Sequence, residues 1–127
     1  HSEGGIIAVK LAPGENAPAF IVLLSAPAIP GDELMLLQNE AILQANKIDE
    51  EVITAGLRLS AQSYAIIKTE SDPVKAAQKI RYLEDNLWGS MFPNIREGLK
   101  KTGMQKGFLV KQLPQLLSPW MRYFISY

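Results

Sequence analysis

The chain has 127 residues, thirteen Lys and Arg against thirteen Asp and Glu, no cysteine and a single histidine. One domain with a real core is expected at this length, and the balanced charge offers no basic field for nucleic acid or an anionic membrane, while favouring self-association. Without cysteine there are no disulfides or thiolate metal sites; one histidine excludes a site built on several imidazoles, and no Asp-rich loop has calcium spacing. The longest apolar run, Ala17 to Leu24, is far short of a membrane span. The first residues lack the basic and apolar regions of a secretory leader, and the compartment, cytoplasmic or exported, stays open.

The elements follow in chain order. Ile6 to Leu11 reads as a short apolar helix stopped by Pro13-Gly14. Residues 19–25, Ala-Phe-Ile-Val-Leu-Leu-Ser between Pro18 and Pro27, have the continuous apolar character of a strand buried on both faces of a parallel sheet. Pro27 to Gly31 is a loop, and helices are expected from there on. Asp32 is the expected cap of a helix with Leu34, Leu37, Ala41, Ala45 and Ile48 on one face, and Asp49 of a second with Ile53, Leu57, Tyr64 and Ile67. Asp72-Pro73 is a cap followed by proline at the first helical position, with Ala76, Ile80, Leu83 and Leu87 as the stripe and Gly89 as the stop. Asn94 to Lys101 predicts a short helix closed near Gly103. Phe108 to Leu117 is apolar and interrupted by Pro114, and Ser118-Pro119 opens a last helix carrying Trp120, Tyr123, Phe124 and Tyr127.

The chemically pointed residues are the first five. Ser2-x-Gly4 is the second half of a G-x-S-x-G nucleophile elbow, in which serine sits on a tight strand-to-helix turn with its hydroxyl exposed. Glycines are expected where the turn brings groups too close for a Cβ. The helix that follows points its N-terminus at the site, and the Glu3 backbone N–H is placed to donate to an oxyanion. An apolar helix and then a strand-like run complete the β-turn-α-β order such an elbow requires.

His1-Ser2-Glu3-Gly4-Gly5 resembles the G-H-S-E-G-G elbow of α/β-hydrolases related to dienelactone hydrolases, serine aminopeptidases and acyl-CoA-type esterases. Residues 20–27 resemble the next core strand of that family, residues 29–34 the loop into its lid, and residues 118–124 the segment returning from lid to core. The resemblance implies a mainly α chain: a partial hydrolase core over residues 1–30, with the elbow helix and one strand of a parallel sheet, and a helical lid or cap over residues 31–127. It implies a bacterial-type serine hydrolase in which Ser2 attacks an ester, thioester or amide carbonyl, with acid and histidine following the lid. The parent would act on a small-molecule acyl substrate, with no metal or organic cofactor. Neither the acid nor the histidine maps onto a residue here, so the chain alone is expected to be inactive.

His1, Gly4 and Gly5 take supporting positions in the resemblance. His1 neighbours Ser2 on an extended strand, where adjacent side chains point to opposite sides. Asp32, Asp49 and Asp72 sit where helix caps belong, and with Asp85 are read as structural. The aromatic cluster with Trp120 and Phe124 either lines an acyl pocket or forms the core edge of the lid, with packing preferred. Trp88, with Met91 and Phe92, either tips the lid towards substrate or closes a helix pair. Lys100, Lys101, Lys106 and Lys111 read as a solvated face. A different class of reading is a stand-alone helical domain that binds a partner. The lone strand argues for the fragment, since its backbone needs neighbours, and predicts that the isolated chain forms a homo-oligomer, swaps segments or leaves its first thirty or so residues disordered.

Overall fold

The structure is a computed structural model and describes residues 1–127. The chain is mainly α, with seven helices: α1 Glu3–Leu11, α2 Gly31–Ala45, α3 Glu50–Thr69, α4 Pro73–Ser90, α5 Pro93–Lys101, α6 Phe108–Leu116 and α7 Pro119–Ser126. The two cap-and-proline signals are realised. The Asp72 carboxyl accepts from the Val74 and Lys75 N–H groups at 2.8 and 3.2 Å, and the Ser118 hydroxyl accepts from Met121 N–H at 3.2 Å. Both satisfy donors that a helix start leaves without partners. After α5, Gly103 adopts φ 87°, and Met104 N–H returns to the Leu99 carbonyl, the left-handed closure that favours glycine.

α3 is the central element, packed against α2, α4, α5 and α7, while α6 lies on α4 and α7. The main core gathers Leu59, Tyr64 and Ile67 of α3, Ile80 of α4, Leu109, Leu113 and Leu116 of α6, and Met121 and Ile125 of α7. A smaller cluster, Val52, Trp88, Ile95 and Leu99, seats α5 across α3 and α4. Close approach decides two glycines. A Cβ on Gly31 would lie 2.0 Å from the Phe124 carbonyl oxygen, so the start of α2 packs on the backbone of α7, and one on Gly98 would lie 2.4 Å from a Val52 methyl. No helix is long and apolar enough to cross a membrane.

Several expectations are corrected. No strand forms at 19–25: the stretch is irregular, and its one backbone hydrogen bond to another segment is from Ser2 N–H to the Leu24 carbonyl at 3.2 Å. A strand needs a ladder, and no second strand lies beside it. Phe20, Val22 and Leu24 are consequently exposed. Asp32 does not cap α2; it lies inside the first turn and pairs with Lys68 of α3 at 2.8 Å. Asp49 holds the cap position of α3 without a side-chain bond. Gly89 does not stop α4, which runs on to Ser90 before Pro93 starts α5. Pro114 does not interrupt α6: it costs one hydrogen bond, and Leu113 and Leu116 on either side are buried. The α4 stripe is Ala76, Ile80, Glu84 and Trp88, one position beyond the expected Leu83 and Leu87, which are only partly buried.

Candidate functional site

Ser2 precedes α1 with φ 51° and ψ −130°. A residue with a Cβ reaches this region only under strain, and ψ departs far from the left-handed helical well. The turn is held from outside by the Ser2 N–H on the Leu24 carbonyl. It is held from inside by the Gly4 and Gly5 N–H groups, which turn back on the carbonyls of His1 and Ser2 at 3.1 and 2.9 Å. The Glu3 N–H makes no hydrogen bond within the protein. One free backbone donor therefore remains beside an exposed serine at a helix start, where the helix dipole favours negative charge.

Of Gly4 and Gly5, only Gly5 is demanded by contact. A Cβ there would lie 2.3 Å from the Ala26 Cβ, whereas Gly4 faces open space. The close approach is thus between α1 and the irregular run at 23–26.

α1 meets α7. The Trp120 indole N–H donates to the Glu3 carboxyl, and Trp120 stacks on Phe124 with ring centroids 5.3 Å apart and planes 4° from parallel. Seven residues beyond Glu3, on the same face of α1, the Lys10 ammonium lies 4.4 Å from the Tyr123 ring centre and 5.4 Å from that of Tyr127. These are cation–π distances. The structure thus brings Ser2, Glu3, Gly4 and Gly5 together with Trp120 and, through it, Phe124. His1 is exposed beside them. Trp88 is not brought there; it is buried with Val52, Ile95 and Leu99, closing the contact between α3, α4 and α5. Asp85 makes an exposed pair with Lys106 at 3.2 Å.

Four participants escaped the sequence reading. Lys10 acts through its ammonium on the distant Tyr123 and Tyr127 rings, which no local pattern marks. Leu24 acts through its carbonyl, which no side-chain pattern marks. Glu84 is buried and accepts the Leu109 N–H at 2.9 Å, fastening α4 to the start of α6. Arg122 donates to the carbonyls of Ile67 and Glu70 at 3.2 and 2.7 Å, closing the C-terminal end of α3.

The electrostatics follow from these placements. Burial opposes ionisation of Asp32, yet the hydrogen bond and charge of Lys68, with backbone N–H groups, hold its carboxyl below the ordinary value of 3.8. Lys79 at 2.7 Å and the Asp72 N–H lower Glu70, and Lys100 at 2.7 Å lowers Glu97. Burial pushes the Tyr64 hydroxyl up, against hydrogen bonds with Ser60 and Asn39 that pull the other way. No protein-family model matches this chain, and no curated protein or solved structure matches it.

Proposed function

We propose that this chain carries the nucleophile elbow and helical lid of a serine α/β-hydrolase that cleaves carboxylic esters or related acyl bonds. The observation that carries the reading is the backbone of Ser2, held at φ 51° and ψ −130° on the step into α1. Strain of this kind persists where surrounding contacts impose it, and it clusters at reactive sites. Ser2 is the nucleophile and the free Glu3 N–H one oxyanion donor; Gly5 lets α1 approach the run at 23–26. The second oxyanion donor, the acid and the histidine base come from segments other than these. In this reading the Phe20, Val22 and Leu24 side chains are exposed because their stretch belongs in a sheet.

Ser2 acts in two steps. Its hydroxyl adds to the acyl carbonyl as the base takes its proton, and the Glu3 N–H stabilises the oxyanion; the leaving group departs with a proton. Water then attacks the acyl-Ser2 ester and restores the hydroxyl.

The test is fluorophosphonate labelling of the protein expressed from its full open reading frame, located by peptide mass spectrometry. Labelling at Ser2 that disappears in Ser2→Ala supports the reading; an unlabelled Ser2 in that protein refutes it. The exposed apolar run favours one second reading, a helical module that self-associates through residues 20–24. A chain that sediments as a monomer counts against that alternative.

A further inference from the structure

A cavity of about 350 Å³ opens inside the bundle, bounded by α2, α3, α6 and the start of α7. Protein interiors pack as densely as organic crystals, with few voids larger than a water molecule. Since about 150 Å³ is enough for benzene, this space holds roughly a dozen non-hydrogen atoms. It also lies at the small end of the range for small-molecule sites.

The walls are of two kinds. Met35, Met104, Phe108, Leu116 and Met121 supply apolar surface. Asn39, Ser60, Tyr64 and Gln112 supply neutral hydrogen-bonding groups on the same walls. No residue lining the cavity is charged. A carboxylate or ammonium taken up there would lose its water without gaining a counter-ion, a penalty the site has no means to offset. Three of the four methionines of the chain lie on these walls. Thioether side chains adapt to irregular guests.

We propose that this cavity binds an uncharged amphiphile: an aliphatic chain of roughly ten carbons ending in a hydroxyl, amide or ester group. The tail lies against the methionines and Phe108, and the polar end meets Asn39, Ser60 and Tyr64. The assignment rests on the bundle and not on the elbow, for no residue before Met35 lines the cavity.

Methyl-labelled methionine NMR on the 127-residue chain tests it directly, with decanol as the probe and decanoate at neutral pH as its charged counterpart. Met91 lies outside the cavity and is the internal reference. Decanol should move the Met35, Met104 and Met121 signals saturably and leave Met91 in place. Decanoate should bind about ten-fold more weakly or worse, since its charge must be desolvated. Tyr64→Phe removes one hydroxyl and should weaken decanol about five-fold, the worth of one hydrogen bond. Ser2→Ala should change none of this, which separates the proposal from the fate of the elbow reading. The proposal is overturned if the three signals do not saturate, if Met91 moves with them, if decanoate binds as tightly as decanol, or if Tyr64→Phe leaves decanol affinity unchanged.

Discussion

Glu84 is the one carboxyl-bearing side chain buried in the core, 3% exposed, and its role can be isolated by substitution. It accepts the N–H of Leu109, the second residue of α6, a donor with no partner inside its own helix. Glu84→Gln keeps an acceptor oxygen and the shape while removing the formal charge. It loses a charge–dipole attraction of about 0.3–1 kcal/mol and gains relief from desolvation, so it should fall within about 1 kcal/mol of the parent. Glu84→Ala leaves the buried N–H orphaned, at about 1–3 kcal/mol, and strips one buried methylene at about 0.8 kcal/mol. Better helix propensity and the lost desolvation penalty return part of that, giving a net destabilisation of about 1–3 kcal/mol. Urea unfolding of the three proteins measures both differences, and hydrogen exchange should show protection lost at Leu109 in the Ala variant alone. Equal destabilisation by Gln and Ala would refute the reasoning, because the charge and not the acceptor would then hold α6. A neutral Ala variant would refute it too.

Two further outcomes follow from contacts already described. Gly31→Ala should destabilise by about 1–3 kcal/mol or more, because its Cβ meets the Phe124 backbone at 2.0 Å, while Gly89→Ala, with open space around it inside α4, should stabilise by about 0.5–1 kcal/mol; thermal melts compare them. Asp32 and Glu70 have carboxyl pKa values lowered in the fold, so their contribution is complete above the unfolded values near 4 and is lost as pH falls through the lowered folded ones. Melting temperature should therefore drop below about pH 4, and Lys68→Met or Lys79→Met should flatten part of that drop; an unchanged pH profile in both variants would remove the pairs from the account.

The helical character was legible because it is written locally. Asp72-Pro73 and Ser118-Pro119 mark helix starts through their own side chains, and the α3 stripe is visible in Ile53, Tyr64 and Ile67. What was not legible depends on distant partners. The run at 19–25 has the composition of a buried strand, but composition cannot supply a neighbour to pair with, and the chain leaves it irregular. Glu84 reads as a surface residue until α6 arrives with an unpaired N–H. At the site, Ser2-Glu3-Gly4-Gly5 pointed to a tight strand-to-helix turn; the chain has Ser2 at φ 51° before α1, with no strand ahead of it. Its attachment to α7 through Trp120 and Lys10 spans more than a hundred residues and had no local mark.

The contact between the first residue of α2 and the backbone of α7 carries a consequence for the architecture. The polypeptide leaves for the bundle at Gly31 and comes back to the same spot at Phe124, so the two ends of that path meet, next to the Trp120 and Tyr123 contacts with α1. Segments whose two ends meet can be lengthened, shortened or exchanged without moving what lies beside the meeting point. The interior of the excursion, with its cavity and its core, can thereby vary while α7 keeps its hold on Glu3 beside the serine turn.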